Sequence, residues 1–289
     1  MVRLLLLLVT LALTAGCGSS GASADPRLQV VAAAYPFAWV TRQVGGPDVR
    51  VSELVKPGAE PHDIELAPRQ VGSLQVADLV VYLDGFQPAV DDGLRDTPAR
   101  ARLDVATVVT RQPLAGAGGE PDPHVWLDPV RMQTLAGAVG ERLAARDPAH
   151  APAYRTRTAA TVEALQQLDG TFRARLASCA RTDIVTSHSA FGYLAARYGL
   201  VQRGISGLAP DAEPAPGAVA SVARFAREHG VTTVFFESLV SPKVARTVAA
   251  EAGARTAVLD PVESVAPGED YLSVQRRNAA TLHEALGCR

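Results

Sequence analysis

The sequence predicts an α/β protein of two lobes, each a mainly parallel four-stranded sheet flanked by helices, joined by a long rigid helix. Three observations favour this fold class. Short runs of β-branched residues alternate with helical stretches, a rhythm typical of parallel sheets covered by helices. The rhythm occurs once in each half of the 289-residue chain. A long helical stretch, with no glycine- or proline-rich linker, stands between the two halves.

Four strands are predicted in each half, with helical segments such as residues 68–77 between them. Those of the first half cover residues 28–34, 49–55 and 79–83, with a shorter and weaker run at 102–105. Those of the second half cover residues 183–186, 200–206, 231–236 and 255–259.

Two helices are predicted between the halves. Asp128 followed by Pro129 is a strong start signal for the first helix, and apolar residues then recur at helical spacing. The second helix starts near Pro152 and runs to about Leu176. We therefore place the first lobe at residues 27–147, the linking helix at 148–177 and the second lobe at 178–289.

Residues 1–17 have the pattern of an export signal. Arg3 precedes an apolar run at 4–13, which is too short to span a bilayer. The segment resembles a bacterial lipoprotein signal peptide, in which the cysteine, here Cys17, carries the lipid after cleavage. Thr14 departs from that motif, which usually has leucine there, and an ordinary secretory signal is the alternative. Residues 18–26 then form a flexible tether.

The net charge argues against one class of protein, and the cysteine content predicts a covalent bond. A net charge of -2 argues against binding to nucleic acid, which usually requires a basic face. Outside the cytoplasm, the two remaining cysteines, Cys179 and Cys288, are expected to form a disulfide, the alternative being two buried thiols that never meet.

Three of the six histidines occupy loops that suit a ligand site. His62 and His188 follow predicted strands, and ligands of open α/β sheets bind beyond the carboxyl ends of strands. His124 precedes the helix that Asp128 begins, so its position is less well defined. The other three, which lie among charged residues on helical stretches, are expected to be solvated surface groups: His150, His229 and His283.

Two carboxylates follow strands at the same expected edge of the second sheet. Asp260 comes directly after the strand at 255–259, and Glu237 directly after the strand at 231–236. Three imidazoles and one carboxylate make a suitable tetrahedral shell for zinc. The residues alone leave an alternative open, namely histidines that only bond to backbone in turns.

Residues from about 28 to 287 resemble the zinc- and manganese-binding solute-binding proteins of ABC transporters, the group that includes the zinc-uptake binding proteins. The matching segments, in chain order, are residues 58–63, 122–129, 187–194, 236–237 and 259–261. The resemblance implies two α/β lobes with a metal site in the cleft between them. It also implies that the protein is a monomeric periplasmic binding protein that delivers its metal to a membrane permease and, through it, to an ATPase.

Carried over by position, the ligands of that family fall on His62, His124, His188 and Asp260. Glu60 and Glu237 are further candidates, as outer-shell or alternative ligands. A histidine at the third position, His188, is typical of zinc binders, whereas manganese binders tend to carry glutamate there. We therefore expect Zn(II) as the cargo, with binding that weakens near pH 6.5, where an unperturbed histidine titrates. Manganese or iron transport, an adhesin with a structural metal and an exported zinc hydrolase are the alternatives, but no HExxH or GxSxG motif indicates an enzyme.

Overall fold

The structure is a computed structural model that describes residues 25–114, 119–208, 210 and 213–289. The predicted signal peptide and Cys17 lie outside the described residues. The described residues form two four-stranded sheets, both parallel throughout, and helices flank each sheet. The predicted two-lobe α/β class is therefore confirmed.

The first lobe contains the strand order β2-β1-β3-β4. Each crossover between neighbouring parallel strands passes over a face of the sheet, as parallel pairing requires. Its elements are β1 Leu28–Ala32, α1 Tyr35–Gly45, β2 Val49–Glu53, α2 Pro68–Val76, β3 Leu79–Tyr82, α3 Pro88–Gly93 and β4 Arg102–Asp104. The weak fourth strand is present, although it has only three residues.

The second lobe repeats this arrangement with the strand order β6-β5-β7-β8. Its strands are β5 Asp183–Thr186, β6 Val201–Gly204, β7 Thr233–Phe236 and β8 Arg255–Val258. Its helices are α6 Gly192–Tyr198, α7 Pro216–Glu228, α8 Lys243–Ala252 and α9 Tyr271–Leu286. Strand β5 has the predicted bounds, whereas β6, β7 and β8 are shorter than predicted because the ends of the predicted runs lie in loops.

Helices α4 Pro129–Arg146 and α5 Ala151–Leu176 lie between the sheets in the sequence. Helix α5 packs against α4 and α1 and also against α9 of the second lobe. It buries Leu165, Leu168 and Phe172 completely. None of the helices in the described part of the chain combines the length and apolar character that a membrane crossing requires.

Aromatic side chains join the two lobes into one core. Trp39 of α1 stacks on Tyr271 of α9, with ring centroids 4.6 Å apart. Trp126 meets the edge of Phe37 at 5.9 Å and donates a hydrogen bond from Nε1 to the carbonyl of Pro261, 2.7 Å away. The cleft therefore has a packed apolar floor, on which the polar loops of both lobes converge.

A disulfide joins Cys179 to Cys288. The backbone around it is also paired, since the Arg289 amide donates to the carbonyl of Ser178 at 2.9 Å. The last residues of the chain are thereby attached to the segment that follows α5.

Candidate metal centre

The three loop histidines meet at one point between the lobes. His62 lies in the loop between β2 and α2, and His124 directly precedes the short 3₁₀ helix Val125–Leu127. His188 follows β5 of the second lobe. The ring centroid of His124 lies 5.2 Å from that of His62 and 5.3 Å from that of His188. Two loops of one lobe and one loop of the other therefore supply the imidazoles.

Glu263 is the fourth member of this group. Its Oε1 lies 3.4 Å from Nε2 of His62 and 3.3 Å from Nε2 of His124. Nε2 of His124 and Nε2 of His188 are 3.4 Å apart. Donors about 2.0–2.1 Å from a tetrahedral zinc ion are themselves about 3.3–3.4 Å apart. These three distances are therefore edges of a tetrahedron of zinc's size, and all four donor atoms lie within 4.8 Å of one another.

Burial makes this cluster unusual among polar groups. His124 and His188 are fully buried, and His62 and Glu263 expose only 6% and 3% of their surfaces. Nε2 of His62 and Oε1 of Glu263 are buried without a hydrogen bond to any described residue. Because unpaired buried polar atoms are costly, their convergence fits a cation at the centre of the group.

Two further carboxylates orient the histidine rings. Nδ1 of His124 lies 2.8 Å from Oδ1 of Asp122, and Nδ1 of His188 lies 2.5 Å from Oε1 of Glu237. An ionised carboxylate only accepts hydrogen bonds, so each Nδ1 carries a proton, and each Nε2 presents its lone pair to the centre once that ring is neutral. This carboxylate–histidine arrangement is typical of protein metal sites.

The electrostatics of the group favour one positive charge, which His124 carries between two carboxylates. Burial opposes the charged form of His124, but its hydrogen bond with Asp122 and its close contact with Glu263 raise its pKa to about 9. Burial also opposes ionisation of Glu263, yet its close contacts with His124 and His62 hold its pKa well below the usual range. Burial lowers the pKa of His62, which is opposed by its contact with Glu263. The site thus has a carboxylate anion, one neutral imidazole and a proton on His124 that a metal ion can displace.

The structure does not bring Asp260, the predicted fourth ligand, into the donor group. Its Oδ1 accepts a hydrogen bond from the Val262 amide at 2.8 Å, and its Oδ2 accepts one from Ser238 at 3.0 Å. The chain turns sharply after β8, so the residue three positions further on reaches the histidines. Glu263 therefore takes the place expected for Asp260.

The remaining predicted site residues border the group. Glu237 lies behind His188 and also accepts a hydrogen bond from Ser187. Glu60 accepts a hydrogen bond from the His62 amide at 3.0 Å, and its Oε1 lies 3.8 Å from Nε2 of His62. Neither carboxylate belongs to the four-donor cluster found among the described residues. Their assignment as outer-shell or alternative ligands stays a prediction.

The three histidines predicted to lie at the surface are all remote from this cluster. His150 pairs with Asp147, and His229 lies 3.3 Å from Asp183. Nδ1 of His283 lies 2.8 Å from the carbonyl of Arg175.

Sequence reasoning missed Glu263 and the role of Asp122. Glu263 has no strand-end signal, because it lies five residues beyond the end of β8. Asp122 stands two residues before His124, and a carboxylate at that spacing can contact both the amide and the ring of the histidine. That spacing was visible in the sequence and could have indicated an orienting partner.

Comparison with known proteins also indicates a zinc site. The sequence pattern of the family described as zinc-uptake complex component A, periplasmic (ZnuA), matches residues 30–285. Zinc-binding protein AdcA of Streptococcus pyogenes is 33% identical to this chain, and the alignment covers 90% of this chain and 56% of that protein. The chain therefore spans little more than half of that relative.

Two other proteins align with this chain over nearly the full length of both chains. High-affinity zinc uptake system protein ZnuA of Bacillus subtilis is 31% identical over 95% of this chain and 94% of that protein. The crystal structure of the Zn(II)-bound ZnuA-like domain of Streptococcus pneumoniae AdcA superposes with a TM-score of 0.77 and 33% identity, covering 90% of this chain and 99% of that domain.

Proposed function

Because this chain belongs to the zinc-uptake complex component A family, we propose that it is the extracytoplasmic zinc-binding component of an ABC uptake transporter. It captures Zn(II) between its lobes and delivers the ion to a membrane permease, which works with a separate ATPase. The single observation that carries this proposal is the buried group of three imidazole nitrogens and one carboxylate oxygen with the edge lengths of a tetrahedral zinc shell.

The ligands in this proposal are His62, His124, His188 and Glu263. Three nitrogen donors favour zinc over manganese, which prefers oxygen. The histidine at position 188 is the residue that differs most directly from a manganese site, since a glutamate there would supply a second carboxylate. Asp122 and Glu237 orient two of the rings, as outer-shell carboxylates do in other zinc proteins.

Binding and release describe this site better than catalysis does. A catalytic zinc keeps an open coordination position for water or substrate, whereas here four protein donors converge and are almost completely buried. The related proteins are zinc-binding transport components. Export, and attachment of the protein to the outer face of the membrane through a lipid on Cys17, complete the proposal.

The test is metal analysis followed by competition with a zinc chelator. We expect protein purified without added metal to contain one zinc ion per chain and to compete with the chelator. Replacing His124 by alanine should weaken zinc binding by more than the roughly 10–100-fold that loss of an outer-shell partner costs. His229→Ala is the matched control, because His229 is exposed, stacks on Phe225, lies 3.3 Å from Asp183 and does not belong to the four-donor group.

Two outcomes would contradict the proposal. The first is a purified protein that neither contains zinc nor competes with the chelator. The second is an equal loss of affinity in His124→Ala and His229→Ala, which would mean that the histidine cluster is not the binding site. Tighter binding of Mn(II) than of Zn(II) would instead support the manganese alternative.

A further inference from the structure

The turn that carries Glu263 has an unfavourable backbone. Val262, directly before Glu263, has a φ of 59° and is the only non-glycine residue with positive φ in the described part of the chain. A β-branched side chain disfavours this left-handed region strongly. Val262 is also fully buried, so it cannot relax outward without disturbing the core. The conformational preference of Val262 therefore does not favour this turn, and hydrogen bonds to the turn must stabilise it.

Asp260 supplies the hydrogen bond that closes the turn. Its Oδ1 accepts from the Val262 amide at 2.8 Å, and both residues are buried. Its Oδ2 accepts from the Ser238 hydroxyl at 3.0 Å, which fixes the rotation of the carboxylate. Both carboxylate oxygens are thus engaged within the second lobe.

The residues around Asp260 are fixed as well. Asn278 of α9 accepts from the Asp260 amide at 3.0 Å and donates to the Asp260 carbonyl at 2.7 Å. The Pro261 carbonyl accepts from Trp126, which directly follows Val125 in the loop of His124. The turn is therefore stabilised from both lobes, and Asp260 is the side chain that bonds to the strained residue itself.

Building on the zinc-binding function proposed above, we infer that Asp260 is a positioning residue that acts through Glu263, and is not itself a metal ligand. The hydrogen bond to the Val262 amide keeps φ of Val262 positive. A return of Val262 to negative φ would redirect the next Cα–Cβ bond and carry the Glu263 carboxylate away from the three imidazoles. Loss of the Asp260 carboxylate should therefore remove the fourth donor without changing any of the others.

A double-mutant cycle in zinc binding tests this inference. Chelator competition gives zinc dissociation constants for the wild type, Asp260→Ala, Glu263→Gln and the double variant. We expect Asp260→Ala to weaken binding roughly 10–100-fold, as for other outer-shell partners. The double variant should bind no more weakly than Glu263→Gln alone, because Asp260 acts only through that carboxylate. Additive losses would overturn the inference.

A conservative substitution separates positioning from direct ligation. Asp260→Asn keeps an Oδ1 that can accept from the Val262 amide, and its Nδ2 can donate to the Ser238 hydroxyl. We expect this variant to bind zinc like the wild type and to give the same visible absorption spectrum with Co(II). Asp260→Ala should give the altered spectrum of Glu263→Gln. A changed spectrum in Asp260→Asn would overturn the inference, since it would indicate direct ligation.

Two controls keep the result interpretable. Asp92→Ala removes an exposed carboxylate of α3 and should leave zinc affinity unchanged. If Asp260→Ala does not fold, Asp260→Ser replaces it in the cycle, because the shorter hydroxyl cannot bond to both Val262 and Ser238. A wild type that binds no zinc would contradict the proposed function. If the wild type binds zinc but Asp260→Ala binds it equally tightly, only the positioning role of Asp260 would be contradicted.

Discussion

His124 lies between two carboxylates, Asp122 and Glu263, and this position sets the pH range of metal binding. Its pKa of about 9 means that the metal-free protein carries a proton on His124 at neutral pH. Zinc requires the neutral ring, so binding must release that proton. The sequence alone predicted competition near pH 6.5, the range of an unperturbed histidine. The two carboxylates extend this range upward.

We therefore predict that zinc binding at pH 7.5 releases about one proton per ion, and that affinity rises with pH until about pH 9. Calorimetric titration in buffers of different ionisation enthalpy measures the proton count. Asp122→Asn is the informative comparison, because it removes one of the two charges that raise the pKa of His124 and should reduce the release. Zinc binding with no proton release at pH 7.5 would show that His124 is already neutral in the free protein.

The same proton affects the stability of the metal-free protein. The pKa of His124 is raised in the folded state, so its stabilising contribution is fully present below the unfolded value near 6.5. That contribution is lost as pH rises through about 9. The metal-free protein should thus lose stability over the range in which its zinc affinity increases.

Strands and helices were largely predictable, because their signals are local. Asp128 and Pro129 marked the start of α4, and the apolar spacing of α4 and α5 indicated which faces are buried. The position of Glu263 was not predictable in this way. It depends on a left-handed turn at Val262, a residue whose side chain disfavours that conformation. Asp260 closes the turn from two residues away, but Ser238 and Asn278, which are distant in the sequence, hold Asp260 in place. The apolar periodicity of the sequence carries no information about those contacts.

Asp128 does more than begin its helix. Its Oδ1 accepts from the Val130 amide at 2.9 Å, as the sequence predicts for an N-cap. The same carboxylate also accepts from Arg131 and from Arg197 of α6, the latter at 3.0 Å and 2.8 Å. Because Arg197 belongs to the second lobe, this buried cap also contributes to the contact between the lobes.

We predict that Asp128→Ala destabilises the protein by at least about 2 kcal/mol, since it removes a cap and leaves two arginines without their buried partner. Partial exposure of both arginines keeps this estimate below that for a fully buried pair. Asp270 is the matched control, because it caps α9 through Ser273. Asp270→Ala should cost about 1 kcal/mol. Urea denaturation of metal-free protein gives both values, and equal costs would show that the arginine contacts add nothing.

The two lobes are connected by many contacts besides α5. Tyr193 of α6 donates from its hydroxyl to the Asp122 carbonyl at 2.9 Å, and the Gly58 amide donates to Ser264 at 2.8 Å. Trp126 donates to Pro261 and accepts a hydrogen bond from Tyr271. Several of these bonds adjoin the residues that hold the metal donors. The lobes and the site therefore form one packed unit.

This packing predicts how the whole molecule responds to its cargo. We expect zinc-loaded and metal-free protein to give the same radius of gyration in small-angle X-ray scattering, because closing a hinge would break the bonds between the lobes. The control is the double variant Trp126→Phe and Arg197→Ala, which loses the interlobe hydrogen bonds to Pro261 and Asp128 and should expand when metal is removed. A clear contraction of the wild type on adding zinc would contradict the rigid arrangement. Equal radii would locate metal release in local movement of the loops that carry the four donors, among them the strained turn before Glu263.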